Sequence, residues 1–363
     1  MSDILDDLKS QQDLDRSHVY DSVISLPQQC RHAYQDTQPI TIPASYRKVN
    51  KMVMCGMGGS GLGARVIESV YFDSLKLPLI RINNYHLPSW VDSQTLVICS
   101  SFSGTTEETV ANAKEAISKK AKWLAISAGG DLIDLARLHQ VPYYQINPKY
   151  NPSQQPRMGI GYSIIGQLML VNHLGLIKFT SQDLASSVSV MNSVIKGCQV
   201  KVPKASNPAK KMAEKIKTKQ VVFVAADHLT GAIHVFKNQM NENAKHFSSR
   251  HEIPELNHHL MEALKYPSFN SKFLIFFFAS SQIYSQKIQK RFMITKEIIA
   301  KNNLEMLSYE LSGPDKLSQV FELIQFGGFV NFYLSMLHHL DPAPVPWVDY
   351  FKTKLGQSLG QWK

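Results

Sequence analysis

The segment Val-Met-Cys-Gly-Met-Gly-Gly-Ser-Gly at residues 53–61 runs from a short apolar stretch directly into a cluster of glycines. The apolar residues predict a buried strand, and the glycines predict a tight turn at which the backbone approaches a neighbour closely. Similar short apolar stretches recur downstream, separated by helical patterns. Strands that alternate with helices indicate parallel β-α-β units, so we expect an α/β fold.

Two blocks of the chain carry this alternating pattern, and we expect each to form a doubly wound parallel sheet flanked by helices. The predicted strands cover residues 53–55, 79–82, 95–99, 123–126 and 143–146 in the first block, and 221–226, 273–278 and 305–311 in the second. The predicted helices cover 107–119, 164–176, 183–195, 285–300 and 317–338. The domains we expect are an N-terminal helical segment at 1–45, a first domain at 46–196, a linker at 197–210, a second domain at 211–340 and a C-terminal segment at 341–363.

The composition is that of a globular protein, because 44% of the 363 residues are hydrophobic and 19% are charged. The net charge of +10 arises mostly between residues 201 and 220, where there are seven Lys and one Glu. This stretch has no aromatic residue, which a nucleic-acid surface usually interleaves with its basic ones. We therefore interpret it as a solvated helix face, and we expect no nucleic-acid partner.

Four cysteines, at positions 30, 55, 99 and 198, show no metal-type or redox-type spacing. We expect them to be reduced core thiols, as in a cytoplasmic protein. Residues 1–9 are acidic and polar and lack the apolar core of a signal peptide. The longest apolar run, at 273–279, is far shorter than the roughly 20 residues that span a bilayer. We expect this run to be a core strand, and we expect no membrane partner.

The glycine loop fits the dinucleotide pattern G-x-G-x-x-G by letter, at Gly56, Gly58 and Gly61. A dinucleotide site also needs an acidic residue at the end of the next strand, where this chain has Asn83 and Asn84. The loop therefore predicts only that backbone N–H groups and a helix N-terminus lie open to a ligand. A purely structural turn between strand and helix is the alternative.

A second loop, Ser-Ser-Phe-Ser-Gly-Thr-Thr-Glu-Glu-Thr at residues 100–109, follows a predicted strand and opens a helix. Its hydroxyl groups and the free N–H groups of the helix suit a phosphate held by neutral donors. No Gly-Lys-Ser/Thr sequence is present, so the phosphate is expected to belong to a small metabolite rather than a nucleotide. A simple helix cap is the alternative, although a cap needs only one hydroxyl.

Together the two loops resemble the signature of sugar isomerase (SIS) domains. Further segments narrow the resemblance to the bifunctional phosphoglucose/phosphomannose isomerase family, and it covers nearly the whole chain beyond residue 45. These segments are Pro-Arg at 156–157, Asn-Glu-Asn-Ala-Lys at 241–245, Pro-Glu-Leu-Asn-His at 254–258, Asp-Pro-Ala-Pro-Val at 341–345, and Lys352.

The resemblance implies two SIS-type domains, a homodimer with shared active sites, and interconversion of fructose 6-phosphate with glucose 6-phosphate or mannose 6-phosphate. It implies Glu242 as the general base of a cis-enediol mechanism, with Arg157 stabilising the enediolate. It implies His258, reaching in from the partner subunit, and Lys352 as the groups that open the sugar ring. It implies neither metal nor other cofactor. The phosphate would be held by Gly59, Ser60, Ser101, Ser103 and Thr106.

One segment departs from the family pattern at two positions. The family usually has Asn-His-Asn-Glu where this chain has Asn-His-His-Leu at 257–260. The register favours His258, but His259 is a candidate for the same role. Leu260 replaces the carboxylate of the family pattern, so the sequence does not show which group would orient the histidine.

Other interpretations of these residues remain. Glu242 alone would usually be a surface carboxylate in an ion pair, and Lys352 an exposed lysine. Glu255 and His258 are spaced like metal ligands, but no third ligand follows at a typical distance. The rival functions are a sugar-phosphate sensor without catalysis, an amino-sugar phosphate enzyme, and a dehydrogenase that uses the glycine loop. The combined presence of Glu242, Arg157 and Lys352 favours the isomerase.

Overall fold

The computed structural model describes residues 3–360, and within them a five-stranded parallel sheet forms the first half of the chain. The strand order is β2-β1-β3-β4-β5, which is typical of a doubly wound sheet. The strands pair in register, with Val53 opposite Val97 and Cys55 opposite Cys99. Their bounds are β1 Lys51–Cys55, β2 Leu79–Ile82, β3 Thr95–Ser100, β4 Lys122–Ser127 and β5 Tyr143–Gln145.

A four-stranded parallel sheet forms the second half, with the order β7-β6-β8-β9. Each strand therefore has a counterpart in the first sheet, with β6 in the place of β1 and β8 in the place of β3. The two sheets confirm the predicted α/β class with two doubly wound units. The bounds are β6 Gln220–Ala226, β7 Ser248–Ile253, β8 Leu274–Ser280 and β9 Glu305–Glu310.

Helices cover the sheets and fill the space between them. Three precede the first strand, α1 Leu8–Leu14, α2 Val19–Ile24 and α3 Leu26–Thr37. Five belong to the first half of the chain, α4 Leu62–Val70, α5 Glu107–Ser118, α6 Gly130–Leu138, α7 Ile160–His173 and α8 Ser181–Cys198. The remaining helices are α9 Pro208–Ile216, α10 Thr230–Asn243, α11 Leu256–Ala263, α12 Asn270–Phe273, α13 Gln286–Lys301, α14 Lys316–Leu337 and α15 Pro346–Ser358.

The hydrophobic core divides at the first sheet, because successive side chains of a strand point to opposite faces. Val53, Val97 and Trp123 lie on the outer face, in a small cluster with residues of α5 and α6. Their neighbours Met54 and Ile98 lie on the inner face, in a large cluster that continues through to the second sheet. The four cysteines are buried and free, as predicted.

Helix α14 lies at the centre of the large cluster and packs against α8, α9 and α10. In residues 3–360 it is the one helix long and apolar enough to cross a bilayer. In this protein, however, 94% of the apolar segment of α14 is buried inside the fold. A core helix of a globular protein meets the same length and composition criteria.

The sequence prediction missed one strand and misjudged one surface. Strand β7 has the polar sequence Ser-Ser-Arg-His-Glu-Ile and lies at a sheet edge, where its four central residues are only half-buried. The lysine-rich stretch is only partly a solvated helix face. Lys210 is fully buried, and its ammonium group donates to Asp6 and to the carbonyls of Val200 and Val202.

The first sheet places its two glycine- and serine-bearing loops side by side. From β1 the chain moves outward to β2 on one side, and from β3 it moves to β4 and β5 on the other. The strand order reverses between β1 and β3, and in such sheets ligands bind in the crevice at the carboxyl ends of those two strands. The glycine loop follows β1 and the serine loop follows β3, so both border this crevice.

Candidate active site

The glycine loop and the serine loop touch backbone to backbone. A Cβ atom at Gly56 would lie 2.8 Å from the Ser100 carbonyl oxygen, so only glycine fits there. The Phe102 N–H donates to Ser60 Oγ at 2.8 Å, and this bond joins the two loops directly. The Asn83 amide donates to the Gly56 carbonyl at 2.5 Å. Asn83 thus stabilises the turn at the position where a dinucleotide site would carry its acid.

The serine loop is folded around the Ser101 hydroxyl. Ser101 Oγ lies 2.8 Å from Thr106 Oγ1 and accepts the Gly104 N–H at 3.1 Å. Ser103 is exposed at the rim, where its hydroxyl accepts from the Thr105 N–H. Thr106 is the N-cap of α5, and its side chain forms no capping bond there. The first-turn N–H groups and these hydroxyls together make a neutral cradle suited to a phosphate.

Arg157 is buried beside this cradle, with 5% of its surface exposed. A Cβ atom at Gly59 would lie 3.2 Å from the Arg157 Cα, so the glycine loop packs directly on this residue. The guanidinium donates to Asn243 Oδ1, to Gln155 Oε1, and to the carbonyls of Pro342 and Ala343. Burial lowers the pKa of Arg157, and the Glu242 carboxylate opposes that effect.

Glu242 lies in the last turn of α10, and its Oε2 is 3.9 Å from Arg157 Nε. Its side chain keeps 35% of its surface exposed, so a ligand in the crevice can reach the carboxylate. Burial raises the pKa of Glu242, and the cations Arg157, Lys237, Lys352 and Lys245 reduce that rise. A carboxyl group in such surroundings is suited to proton transfer near neutral pH.

The chain after α14 folds back over this carboxylate. Lys245 donates to the carbonyls of Asn243, Asp341 and Pro342, each at 3.1 Å. Arg157 binds the same Pro342 carbonyl, so two cations fix this segment. Burial and the neighbouring Arg157 lower the pKa of Lys245 to about 8. Helix α15 follows, and its exposed Lys352 is close enough to lower the pKa of Glu242.

His258 is not brought to this site within one chain. It lies on α11, after β7 of the second sheet, and both His258 and His259 are exposed. In the described part of the chain, no hydrogen bond or ion pair joins either histidine to Glu242, Arg157 or the serine loop. Leu260 packs against the large core cluster, which explains an apolar side chain at that position.

The fold gathers most of the residues that the sequence proposed for this site, and their roles stay predictions. The structure brings together Gly59, Ser60, Ser101, Thr106, Arg157, Glu242 and Lys352, with Ser103 at the rim. The missed residues are Asn243, which holds Arg157, and Lys245, which holds the C-terminal segment. Both flank Glu242 in the Asn-Glu-Asn-Ala-Lys segment, so adjacency to the candidate base was the available signal.

Within residues 3–360, no three His, Cys, Asp or Glu side chains gather closely enough to hold a metal ion. Glu255 and His258 thus have no third ligand among those residues.

The chain is similar in sequence and in fold to known proteins. Residues 205–355 match the model described as the bacterial phospho-glucose isomerase C-terminal SIS domain. The chain is 32% identical over 345 residues to a bifunctional phosphoglucose/phosphomannose isomerase from Caldicellulosiruptor bescii, covering 93% of this chain and 99% of that protein. A relative of the same name from Thermoplasma volcanium is 29% identical over 321 residues, covering 85% and 92%. A solved structure, a hypothetical protein from Thermus thermophilus, shares the fold with a TM-score of 0.74 at 16% identity, covering 97% and 94%.

Proposed function

This chain belongs to the bifunctional phosphoglucose/phosphomannose isomerase family and is a sugar-phosphate isomerase, and we propose that Glu242 is its general base. In the proposed reaction, Glu242 removes the C2 proton of glucose 6-phosphate or mannose 6-phosphate and returns it to C1 of a cis-enediol. Fructose 6-phosphate is the common product. One carboxylate suffices because C1 and C2 are neighbouring atoms. The observation that carries the proposal is the half-buried Glu242 carboxylate 3.9 Å from the buried Arg157.

The phosphate group is proposed to bind in the cradle formed by the two loops. Ser60, Ser101, Ser103 and Thr106 supply hydroxyl groups, and Gly59 lets the glycine loop pack closely on Arg157 beside them. The N-terminus of α5 adds N–H donors and the positive end of the helix dipole. Binding there would hold the sugar by its phosphate, with the reacting carbons directed along the crevice toward Glu242.

Arg157 is proposed to stabilise the negative charge of the enediolate. A guanidinium has five N–H donors, and within residues 3–360 four bonds from this one reach protein acceptors. One N–H of Nη1 is thus left for an oxygen of the substrate. The four fixed bonds orient the cation before substrate arrives, which is the condition for electrostatic stabilisation of a transition state.

Ring opening is proposed to need Lys352 of the same chain and a histidine of a partner subunit. Lys352 on α15 is close enough to act on the Glu242 carboxylate, whereas His258 is exposed on α11 and bonds to none of the groups of this crevice within residues 3–360. A homodimer would bring that exposed histidine to the crevice of the second copy. The unpaired, buried cysteines suit a reducing compartment, and we propose that the enzyme acts in the cytoplasm.

The proposed function is tested by carbon-13 NMR of fructose 6-phosphate mixed with the purified protein in EDTA. We expect glucose 6-phosphate and mannose 6-phosphate to form with the wild type and at least about 1,000-fold more slowly with Glu242→Gln. Glu297→Gln, which changes an exposed carboxylate on α13, is the matched control and should keep full activity. If Glu242→Gln stays active, Glu242 is not the base. If fructose 6-phosphate binds the wild type but no aldose forms, the protein is a sensor.

A further inference from the structure

The carboxyl edge of the second sheet repeats the layout of the first. The loop after β6 and the loop after β8 lie where the strand order reverses, as the glycine and serine loops do in the first sheet. A cavity of about 730 Å³ opens at this edge, between these loops and α4. Its volume is in the range of small-molecule sites. It is bordered by Thr230 at the start of α10, whereas Glu242 lies at the end of that helix, about 18 Å away along its axis.

The carboxyl edge of the second sheet does not have the neutral phosphate cradle that the first sheet has. Ser281 follows β8 as Ser101 follows β3, but its hydroxyl donates to Gln319 Oε1 at 2.6 Å. Where the serine loop has Ser103 and Gly104, the loop after β8 has larger side chains, including Ile283. This edge therefore differs in chemistry from the catalytic crevice, although it has the same position in its sheet.

Arginines take the place of hydroxyl groups at this cavity. Arg65 enters from α4, Arg81 from β2 and Arg250 from β7. Arg81 pairs with Glu68 at 2.6 Å, and Arg250 pairs with Glu252. At the far end, Lys316 pairs with Asp73 at 2.9 Å, and Asp227 also borders the cavity there.

Arg65 is the arginine of this cluster that has no direct bond to an acid among the described residues. Within the described chain, its guanidinium forms no hydrogen bond and no ion pair, although the residue is half-buried. Burial and the neighbouring Arg81 and Arg250 lower its pKa to about 10, and the carboxylates of Glu68 and Glu252 oppose that shift. Glu68 and Glu252 are the nearby counter-charges, but each is bonded directly to Arg81 or Arg250. Three arginines therefore share two carboxylates, and a bound anion would balance the remaining positive charge.

The backbone that carries Arg65 is held firmly. A Cβ atom at Gly231 would lie 2.8 Å from the Arg65 carbonyl oxygen, so α10 and α4 pack in direct backbone contact. Ser69 Oγ, one turn further along α4, donates to the His228 carbonyl at 3.2 Å. Nearby His234 accepts from Arg250 Nε, and burial together with Arg65 lowers its pKa to about 3. His234 is therefore neutral and adds no positive charge to the cluster.

We propose that this cavity binds a small phosphate monoester, with its anionic group on the Arg65 guanidinium between Arg81 and Arg250. Ser285 borders the same cavity, and its hydroxyl group accepts from the Ile288 N–H, so its own hydrogen is free for a phosphate oxygen. Asp227, at the far end, can accept hydrogen bonds from hydroxyl groups of the ligand. The site is separate from the catalytic crevice and would be occupied together with it.

The test is isothermal titration calorimetry of the full-length wild type with inorganic phosphate in a low-salt buffer. We expect two phosphate ions per chain, one in the catalytic cradle and one on Arg65. Arg65→Gln should lower the affinity of the second site at least tenfold and leave one ion per chain. Competitive inhibition of the isomerase by phosphate, which reports the catalytic cradle alone, should be unchanged in that variant. Arg137→Gln removes an exposed arginine on α6 and should retain both ions.

Other outcomes would overturn the proposal. One phosphate per chain in the wild type, or two in Arg65→Gln, would show that Arg65 holds no phosphate. A change in oligomeric state in Arg65→Gln, measured by light scattering, would mean that a carboxylate of a second copy is its partner. Arg81→Gln, at the more exposed end of the cluster, repeats the test should Arg65→Gln fold poorly. Arg81→Gln must likewise lower the affinity of the second phosphate site and leave the affinity of the catalytic cradle unchanged.

Discussion

Glu242 shows how a single residue acquires a proton affinity that its sequence neighbours alone do not determine. Burial at the end of α10 raises the pKa of its carboxyl group, and four cations from different segments oppose that rise. Two of them, Lys237 and Lys245, are near in sequence, while Arg157 and Lys352 are brought in by the fold. The carboxylate is the form that can accept a proton, so the acid side of the activity profile should report this pKa.

Removal of one of these charges should therefore move the pH profile. Lys237→Met deletes a cation that lowers the pKa of Glu242, so that pKa should rise further. More of the carboxyl group would then be protonated at a given acid pH. We expect the acid limb of kcat/KM to shift to higher pH, measured from pH 4 to pH 8. Lys211→Met, exposed on α9, is the control and should leave the limb in place. If the acid limb of kcat/KM does not move in Lys237→Met, a group other than Glu242 controls that limb.

Asn243 is a positioning residue for Arg157. Its Oδ1 accepts the Arg157 Nε hydrogen in a buried setting. Asn243→Leu would leave that donor unsatisfied, at a cost of about 1–3 kcal/mol in the free energy of unfolding. We expect kcat to fall at least about tenfold with a smaller change in KM, because a misplaced guanidinium affects the enediolate more than the bound phosphate.

Two further variants separate a positioning role of Asn243 from a general loss of stability. One restores the acceptor at position 243, and the other changes a nearby asparagine. Asn243→Asp keeps an acceptor for Arg157 and should recover most of the lost kcat. Asn238→Leu, on the same helix and half-buried, should leave kcat unchanged. An equal loss of kcat in Asn238→Leu would contradict a specific role for Asn243.

At the scale of single elements, the serine loop depends on a backbone shape that few residues adopt. Gly104 has a φ of +77°, and a Cβ atom there would lie 1.7 Å from the Gly129 carbonyl oxygen. The loop is thus held against the start of α6 with no room for a side chain. Its hydroxyl groups are oriented by this packing as much as by their own hydrogen bonds.

Gly104→Ala should therefore disrupt the loop. Strain and the clash with Gly129 are expected to lower the affinity for fructose 6-phosphate at least about tenfold, measured by calorimetry. Gly197→Ala is the matched glycine control, because Gly197 lies in α8 and nothing is within 4 Å of its Cβ position. That change should raise the free energy of unfolding by about 0.5 kcal/mol and leave affinity unchanged. Normal affinity in Gly104→Ala would argue against the cradle.

At the scale of the whole molecule, one chain supplies an incomplete set of the proposed groups. The crevice of the first sheet gathers Glu242, Arg157 and Lys352, while His258 is exposed on the second half of the same chain. If a symmetric dimer exchanges these histidines, each crevice uses Glu242 of one chain and His258 of the other.

Mixing two inactive variants tests this arrangement. Glu242→Gln and His258→Ala homodimers, unfolded together and refolded at equal amounts, form half mixed dimers. Each mixed dimer has one crevice with both groups intact, so activity should return to about a quarter of the wild-type value. Mixed His259→Ala and Glu242→Gln chains are the control for the neighbouring histidine. No recovery beyond the sum of the separate variants would mean that the histidine acts within its own chain.

The sequence could predict the fold class and most of the regular elements. Buried parallel strands such as β3 and β8 are nearly all apolar, and this pattern is visible without any structure. Strand β7 was missed because its polar side chains suit an edge, where pairing on one side replaces burial. Lys210 was taken for a surface lysine because nothing local shows that Asp6, far away in the chain, reaches it.

By itself the sequence determined the two sheets, the loop positions and the residues proposed for phosphate binding and catalysis, because each depends on local pattern or on a motif. Only the tertiary structure decided that Asn243, Lys245 and the carbonyl of Pro342 hold Arg157 and the C-terminal segment in place. It also decided that Arg65 borders a second cavity, with no direct ion pair among the residues that the structure describes. The physical reason is that ion pairing, burial and pKa depend on distances in space, which residues far apart in the chain set only when the fold brings them together.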